Sequence, residues 1–181
     1  MYKRQVTYLK GFGSFISDKK ISVKGEDGKK KEIEAKNIII ATGSEAMPMP
    51  NVEFDEKTIV SSTGALSLKE VPKSLVVVGG GYIGLEMGSV WSRLGAEVNV
   101  IEFLDHITPG MDREISEEFM KILKKQNIKF HLNRKVTSIK KTNNGVQIST
   151  SDKNGDSKDF NCDVALISVS YTHLRAHETE A

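Results

Sequence analysis

The stretch that decides the fold is LVVVGGGYIGLEMG at residues 75–88, where an apolar run passes directly into closely spaced glycines. Residues 75–78 predict a buried β-strand, as expected where helices cover both faces of a parallel sheet. Residues 82–94 predict a helix with one apolar stripe. The stripe consists of four residues spaced 4, 3 and 4 apart, namely Ile83, Met87, Val90 and Leu94. The glycines therefore lie between a strand and a helix.

The pattern G-x-G-x-x-G, formed by Gly79, Gly81 and Gly84, is typical of a dinucleotide-binding turn when it joins a strand to a helix. Gly79 permits the tight turn, and Gly81 leaves room for a pyrophosphate. Gly84 and Gly88 lie four apart on one helix face and let the helix approach the sheet closely. The helix N-terminus offers backbone N–H groups and a partial positive charge to phosphate. A glycine-rich turn that binds nothing is the alternative.

Glu102 ends the next predicted strand, residues 97–103, and follows Gly84 by 18 positions. This is near the spacing of about 20 expected for the acid that binds the ribose of a dinucleotide. Its carboxylate would repel a 2′-phosphate, by about 4 kcal/mol per charge pair at 4 Å in an effective dielectric of about 20. Residues 103–105 contain no arginine that offsets this repulsion. The sequence therefore predicts NAD rather than NADP, with NADH bound at least about tenfold more tightly than NADPH. A solvated strand-end acid is the alternative.

Downstream, the alternation of strands and helices continues and then changes to a hairpin signal, Asn143-Asn144-Gly145. The predicted elements are a helix at 112–126 and strands at 128–132, 135–140, 145–151 and 162–169. The buried side of that helix is predicted to consist of Ile115, Phe119, Ile122 and Leu123. Together with residues 75–103, these elements predict an α/β fold: a β-α-β-α-β unit that carries an antiparallel appendage.

The first 68 residues have a different pattern. Residues 6–41 alternate short apolar stretches with turn signals, which predicts short antiparallel strands that end in a buried strand at 36–41. A Thr-Gly-Ser sequence at 42–44 follows and allows the backbone to turn close to a ligand. The prolines in residues 47–57 predict an irregular connection, and a short helix is expected at 62–68.

Composition limits the possible partners. The 181 residues carry a net charge of +2 and 38% apolar residues, which is typical of a folded protein with a sizeable core. The short lysine runs at 29–31 and 124–125 stand beside acids, which favours a solvated face over a nucleic-acid surface. No apolar run approaches the ~20 residues that a membrane-spanning helix needs. We therefore expect neither a nucleic-acid partner nor a membrane partner.

The sequence offers little for metal or thiol chemistry. Cys162 is the one cysteine, so an internal disulfide is excluded and a reducing compartment is favoured. It falls on a predicted buried strand without a second thiol, which favours an inert core cysteine. His173 and His177 are spaced i and i+4 but have no evident third ligand. No metal site is therefore expected.

Four stretches closely resemble the dihydrolipoamide dehydrogenases, a family of flavoprotein disulfide reductases. They are GGGYIGLEMGSVWSRLGAEV at 79–98, NIIIATGS at 37–44, IVSSTGALSL at 59–68 and PGMDREIS at 109–116. The resemblance covers about residues 6–169, and its motifs match in order and spacing. It implies a parent protein with two nucleotide-binding domains and a dimerisation domain. Such a protein passes electrons from dihydrolipoamide through a cysteine pair and FAD to NAD.

The resemblance also implies contacts with both nucleotides. The implied NAD contacts are Gly79, Gly80, Gly81, Tyr82, Ile83, Gly84, Leu85 and Glu86 at the pyrophosphate, Glu102 at the adenosine ribose and Val136 beside the adenine. The implied FAD contacts are Gly13, Thr42, Gly43 and Ser44. Glu86 would in addition lie near the flavin, opposite a lysine that this chain does not contain. Strand-end and turn roles alone would also explain the four FAD residues.

Several parts of the family pattern have no counterpart in the chain. These are the first glycine-rich FAD motif, the C-x4-C redox pair and the C-terminal His and Glu acid/base pair, so the resemblance implies no catalytic residue here. It divides the chain into the end of a FAD-domain segment with a connection, residues 1–68, and a Rossmann-like three-layer NAD domain, residues 69–169. Residues 1–5 and 170–181 do not fit and are expected to be foreign. The glycine that completes the nicotinamide side of the pocket is missing with them.

The expected function is therefore that of an internal fragment of a dihydrolipoyl dehydrogenase, which binds NAD but is inactive alone. The parent would use FAD, form a homodimer through a missing C-terminal domain and act on the lipoyl domain of 2-oxo acid dehydrogenase complexes. Its expected location is the cytoplasm, or the mitochondrial matrix in a eukaryote. One alternative is another reductase of the superfamily that uses NADPH with glutathione or mercuric ion, which Glu102 disfavours. The other is a non-catalytic nucleotide-binding module.

Overall fold

The computed structural model describes residues 6–46, 49–169 and 171–173. The chain divides into two compact units, of which the first contains residues 6–43 of the described part and the second begins at residue 44. The expectation that residues 1–5 and 170–181 are foreign falls, apart from 171–173, on residues outside the described ranges. His177 lies outside them as well.

The described residues form short strands and three helices. In chain order these are β1 (Phe12–Ser17), β2 (Lys20–Lys24), β3 (Lys30–Glu34), β4 (Ser44–Ala46), β5 (Ile59–Val60), α1 (Ser62–Ser67), β6 (Ser74–Val78), α2 (Tyr82–Arg93), β7 (Glu97–Ile101), α3 (Arg113–Lys125), β8 (Lys129–His131), β9 (Lys135–Thr142), β10 (Gly145–Ser151), β11 (Ser157–Cys162), β12 (Val164–Ile167) and β13 (Tyr171–His173). None of these helices is long and apolar enough to span a bilayer.

The first unit is built on an antiparallel sheet of β1, β2 and β3 in that order, which confirms the predicted short antiparallel strands. The prediction of a buried strand at 36–41 is wrong. This segment has no regular structure, and the side chain of Ile39 is 83% exposed. An apolar run becomes a buried strand only where neighbouring strands and covering layers exist. The described three-stranded sheet does not pair with this segment.

The second unit contains a parallel sheet with the strand order β5-β12-β6-β7-β8. The succession β6-α2-β7-α3-β8 confirms the predicted β-α-β-α-β unit, and α1 confirms the predicted short helix. The central strand β6 has a partner on each side, because Val77 lies opposite Leu166 of β12 and Val100 of β7. The short strands β4 and β13 pair separately as an antiparallel ribbon.

The two faces of the parallel sheet are covered differently. Leu75 and Val77 of β6 belong to one cluster with Trp91 of α2, whereas Val76 and Val78 belong to a second cluster with Ile148 of β10. The second face is therefore covered by the antiparallel sheet β11-β10-β9 and not by helices. An apolar run shows that both faces of a strand are covered but does not identify the covering elements. The antiparallel appendage thus forms the third layer of an α/β/β arrangement.

The buried faces of both long helices differ from the predicted stripes. In α2 the buried residues are Gly84, Leu85, Gly88 and Trp91. Val90 and Leu94, from the predicted stripe, are 37% and 56% exposed. A stripe of large side chains does not mark the face where glycines let a helix lie on a sheet. In α3, Leu123 is buried as predicted, but Ile115 and Ile122 are 54% and 52% exposed, and Ser116 is buried instead.

The antiparallel layer follows the sequence signals only in part. β9 and β10 pair across Asn143-Asn144, which confirms the hairpin. The predicted strand at 162–169 is in fact two elements, because β11 ends at Cys162 and β12 begins at Val164. Asp163 between them donates its N–H to the Ser74 carbonyl oxygen at 3.2 Å, which marks the step from one sheet to the other. The preceding strand β11 was not predicted, because its sequence SKDFNC is largely polar.

Candidate dinucleotide-binding site

The glycine turn joins the end of β6 to the start of α2. Gly79 adopts φ +106°, and a Cβ there would collide with the carbonyl oxygen of Ser168. Its N–H donates to the Ile101 carbonyl oxygen at 2.9 Å, and the Ser168 N–H donates to the Val78 carbonyl oxygen at 2.8 Å. The turn is therefore packed between the ends of two neighbouring strands, and glycine is required at position 79 on conformational and steric grounds.

The other glycines of the motif face different surroundings. A Cβ on Gly84 would lie 2.7 Å from the Gly79 carbonyl oxygen and 2.8 Å from Val77 Cγ1, so this glycine allows the helix to contact the sheet. A Cβ on Gly88 would make only ordinary contacts, at 3.4 and 3.5 Å. Gly81 is the N-cap of α2 without a side-chain cap, and a Cβ there would meet nothing within 4 Å. The N-terminus of α2 thus opens onto free space.

Glu102 is tied to the turn by two backbone hydrogen bonds. Its Oε2 accepts from the Gly80 N–H at 2.6 Å, and its Oε1 accepts from the Leu104 N–H at 2.8 Å. The residue is only 8% exposed, so the alternative of a solvated strand-end acid is wrong. Short hydrogen bonds to a carboxylate are among the stronger ones in proteins. Each oxygen keeps a second lone pair that can accept from a ligand hydroxyl.

A loop at 103–111 lies beside the turn and is held by charge as well as by backbone bonds. Arg113 donates to both carboxylate oxygens of Asp105, at 3.2 and 3.0 Å, and His106 Nδ1 lies 2.7 Å from Oδ1. The hydrogen bond from Arg113, followed by that from His106, lowers the pKa of Asp105 to about 2. The Thr108 N–H donates to the Gly80 carbonyl oxygen at 2.8 Å. The loop and the glycine turn are therefore one connected structure.

A cavity of about 530 Å³ opens in front of the turn. Gly79, Gly81 and Glu102 line one part of it, and Val136 of β9 lines another. Arg134 and Lys135 line it as well. The sequence prediction of the coenzyme considers only residues 103–105 for positive charge and therefore does not include them. The sequence signal for both is their position directly before Val136, a predicted site residue. Arg134 Nη1 donates to Thr150 Oγ1 at 3.4 Å and to the Asp156 carbonyl oxygen at 3.3 Å.

The remaining residues proposed for NAD lie on the first turn of α2. Tyr82 is 73% exposed, Ile83 is half-buried and Glu86 is exposed. Leu85 is 1% exposed and belongs to the core, so it can offer a ligand its backbone alone. The turn, Glu102 and Val136 are thus brought to one cavity, whereas the Glu86 side chain lies on the solvent side of the helix.

The residues proposed for FAD are divided between the two units. Gly13 lies on β1, where a Cβ would meet Ile21 Cγ2 at 3.8 Å. Thr42 and Gly43 are exposed in the segment that ends the first unit, and Gly43 adopts φ +86° with nothing within 4 Å of a Cβ. Ser44 begins β4 in the second unit.

Cys162 is a core residue, as predicted. It is 5% exposed, and its Sγ donates to the Val146 carbonyl oxygen at 3.7 Å. Burial raises the pKa of the thiol to about 12, so it stays protonated and unreactive near neutral pH.

Comparison with known proteins agrees with this geometry. The sequence profile of the family described as pyridine nucleotide-disulphide oxidoreductase matches residues 2–174. The chain is 50% identical over 171 residues to mitochondrial dihydrolipoyl dehydrogenase 1 of Arabidopsis thaliana, covering 94% of this chain and 34% of that protein. It is 53% identical over 169 residues to dihydrolipoamide dehydrogenase of Chaetomium thermophilum, covering 92% and 34%. The chain therefore spans about a third of the length of the relatives it matches.

Solved structures share the fold. The flavoprotein disulfide reductase RclA of Escherichia coli, induced by HOCl, superposes with a TM-score of 0.72 at 29% identity, covering 90% of this chain and 36% of that chain. LpdA of Mycobacterium tuberculosis gives a TM-score of 0.76 at 24% identity, covering 89% and 36%, and supports the fold alone. With the profile match over nearly the whole sequence, these likenesses show that the chain belongs to the pyridine nucleotide-disulphide oxidoreductase family.

Proposed function

We propose that this chain is the NAD-binding part of a dihydrolipoyl dehydrogenase. The observation that carries the proposal is the hydrogen bond from the Gly80 N–H to Glu102 Oε2. It holds a buried carboxylate beside an open helix N-terminus in one cavity. A helix N-terminus that no side chain caps attracts phosphate, and a carboxylate with free lone pairs attracts ribose hydroxyls. The identity of about half of the residues to dihydrolipoyl dehydrogenases supports the assignment.

Each part of the cavity would hold one part of NAD. The backbone at Gly81 and the first turn of α2 would bind the pyrophosphate, because a side chain there would occupy the space it needs. Glu102 would accept hydrogen bonds from the adenosine ribose. The half-buried Val136 would form an apolar wall for the adenine. These residues bind and orient the coenzyme, and none of them transfers a proton or an electron.

The whole protein would oxidise dihydrolipoamide and reduce NAD to NADH. A cysteine pair and a bound flavin would carry the electrons between the two substrates. The one cysteine of this chain is buried and has a raised pKa, so it cannot serve in a dithiol pair. We therefore expect this chain alone to bind NAD without turning it over.

A second candidate is a reductase of the same family that prefers NADPH. Arg134 and Lys135 line the cavity that contains Glu102, and positive charge there would attract a 2′-phosphate. Against it, Glu102 is buried at the strand end and carries the charge that repels such a phosphate. The Arg134 guanidinium also already donates to Thr150 and Asp156. NAD is therefore the favoured coenzyme.

Partners and location follow from the family assignment and belong to the proposal. The whole protein would form a homodimer and act on the lipoyl domain of a 2-oxo acid dehydrogenase complex. Relatives from Arabidopsis thaliana and Dictyostelium discoideum are described as mitochondrial. We propose the mitochondrial matrix for a eukaryotic source and the cytoplasm for a bacterial one.

Titration calorimetry with NADH and NADPH tests the coenzyme site. We expect NADH to bind at least about tenfold more tightly than NADPH, since one like-charge contact has the energy to produce that ratio. Gly81→Ala should keep the melting temperature, because its Cβ enters open space, yet weaken NADH binding about tenfold or more. Gly88→Ala is the matched control on the same helix and should bind NADH normally. Equal affinities for the two coenzymes, or normal NADH binding by Gly81→Ala, would contradict the proposal.

A further inference from the structure

The peptide between Gly80 and Gly81 is held from outside the glycine motif. The Thr108 N–H donates to the carbonyl oxygen of this peptide, that of Gly80, at 2.8 Å. Glu102 Oε2 accepts from the Gly80 N–H, which belongs to the preceding peptide, at 2.6 Å. The Gly80 carbonyl and the Gly81 N–H belong to one planar trans peptide and point in opposite directions. A bond that fixes the carbonyl towards Thr108 therefore fixes the Gly81 N–H away from it.

Thr108 is held in an unusual conformation. Its φ is +50°, a region that β-branched residues rarely adopt, and it is only 3% exposed. Such a conformation persists where surrounding contacts determine it, and such residues often lie at ligand sites. The threonine N–H that reaches Gly80 is therefore placed there by neighbouring groups and not by the preference of the residue itself.

The contact that fixes Thr108 is a buried pair of hydroxyls. Thr108 Oγ1 lies 2.8 Å from Ser116 Oγ, and Ser116 is 1% exposed. Ser116 Oγ also donates to the Asp112 carbonyl oxygen at 3.1 Å. A serine hydroxyl has a single hydrogen, so the Thr108 hydroxyl must be the donor within the pair. The chain of bonds thus runs from the first turn of α3 through Thr108 to the glycine turn.

We propose that Thr108 is a positioning residue for dinucleotide binding. Its hydroxyl bond to Ser116 holds the loop at 103–111 in place, and its N–H orients the Gly80 peptide so that the Gly81 N–H is directed to the pyrophosphate. The identity of the ligand rests on the proposed function, whereas the orientation of the Gly80 peptide by Thr108 is independent of it.

The test removes the hydroxyl and keeps the shape of the residue. Thr108→Val retains the β-branched side chain, so the backbone conformation costs the same while the bond to Ser116 is lost. Thr58→Val is the matched control, because it also loses a hydroxyl bond, the 2.7 Å bond to Asp55, but lies outside the cavity lining. Three properties are measured for each variant of the full chain. These are the Kd for NADH by calorimetry, amide hydrogen exchange by NMR and the melting temperature.

We expect Thr108→Val to raise the Kd for NADH about fivefold to tenfold, the effect of losing one hydrogen bond that orders the site. In this variant the amide hydrogen at position 108 should exchange at least about tenfold faster than in wild type, while exchange of the Val77 amide in the sheet should be much less affected. Thr58→Val should lower the melting temperature and leave the Kd unchanged. Thr108→Ser, which restores the hydroxyl, should return the Kd to within about twofold of wild type.

Two results would overturn the proposal. One is wild-type affinity for NADH in Thr108→Val. The other is an increase in exchange that is equal at Thr108 and Val77, because that pattern indicates global destabilisation. If the unaltered chain does not bind NADH, the proposed function fails. The exchange measurement then still decides whether the hydroxyl holds the Gly80 peptide, since local acceleration at Thr108 supports that role and unchanged exchange refutes it.

Discussion

Two apolar runs in this chain are each followed by a glycine within three residues, and their structures are opposite. Residues 75–79, LVVVG, include all of β6 except Ser74, and Val77 is completely buried. Residues 38–43, IIIATG, contain no strand, and Ile39 is 83% exposed. The two stretches have the same local pattern of branched apolar residues before a glycine with positive φ. Local sequence preference therefore does not explain the difference.

The difference lies in what surrounds each run. β6 has a parallel partner on each side, and both of its faces are covered, one by helices and one by the antiparallel sheet. In the first unit the described sheet consists of β1, β2 and β3, and residues 38–43 take no part in it. Branched apolar residues favour a strand only when cross-strand and facing side chains pack against them. The surrounding elements thus decide whether such a run becomes a strand.

The largest expected effect comes from truncating one residue in each run. Leu75→Ala removes a side chain with no exposed surface and should lower the free energy of unfolding by about 2–5 kcal/mol. Ile39→Ala removes an exposed side chain and should change it by no more than about 0.5 kcal/mol. Urea unfolding followed by far-UV circular dichroism reports on both units. Fluorescence of Trp91, the one tryptophan, reports on the core of the second unit.

Equal losses in the two variants would contradict the comparison. They would mean that Ile39 is buried in solution and that the run at 38–43 has found a partner. In that case the two runs would be alike in structure as well as in sequence.

A smaller effect is expected at the glycines that end the two runs. Gly79→Ala should lower the free energy of unfolding by about 3 kcal/mol, because it combines a strained φ with a collision against Ser168. Gly43→Ala should lower it by about 1 kcal/mol, since its φ is positive but no atom lies within 4 Å of the new Cβ. Both values come from the same urea titrations. Gly95→Ala is the control for backbone strain within the second unit, because Gly95 has φ +110° but no atom lies within 4 Å of the new Cβ. A Gly79→Ala loss no larger than that of Gly95→Ala would show that the collision is relieved by a small shift.

Sequence reasoning predicted the features of the site that depend on neighbouring residues. The succession of strand, glycine turn and helix was identified at 75–94, and Glu102 was identified at the end of the next strand. These features are local, because a few adjacent residues determine the turn and the strand ends. The parallel order of β6, β7 and β8 follows from the same alternation.

Several of the features that sequence reasoning missed depend on contacts between distant parts of the chain. The covering of the second sheet face by β9, β10 and β11 requires knowledge of where the hairpin folds back. Arg134 and Lys135 enter the cavity only because β9 starts beside Glu102, where the Arg134 N–H donates to the Glu102 carbonyl oxygen at 2.9 Å. The Thr108 bond to Gly80 joins positions 28 residues apart (108 − 80). No local pattern indicates such a pair.

The smallest expected effect on stability is at β8, the edge strand of the parallel sheet. Its burial is intermediate between that of the run at 75–79 and that of the run at 38–43. His131 on β8 is half-buried, with its ring 4.6 Å from that of Phe160 and its Nε2 2.9 Å from Asn99 Oδ1. Burial lowers the pKa of His131 below 6.5, and the positive charges of Lys158, Arg134 and Lys129 act in the same direction. The folded chain therefore disfavours the protonated ring.

The lowered pKa gives stability a pH dependence of defined sign. Between pH 6.5 and the lower pKa of the folded state, the unfolded chain binds more protons, so stability decreases as the pH falls through this window. Above pH 6.5 the contribution is fully present. His131→Gln should reduce the difference in urea midpoint measured by Trp91 fluorescence between about pH 7.5 and about pH 5. If wild type and variant lose the same stability over that range, His131 titrates as it does in the unfolded chain. The edge strand β8 would then resemble the exposed run at 38–43 more than the buried run at 75–79.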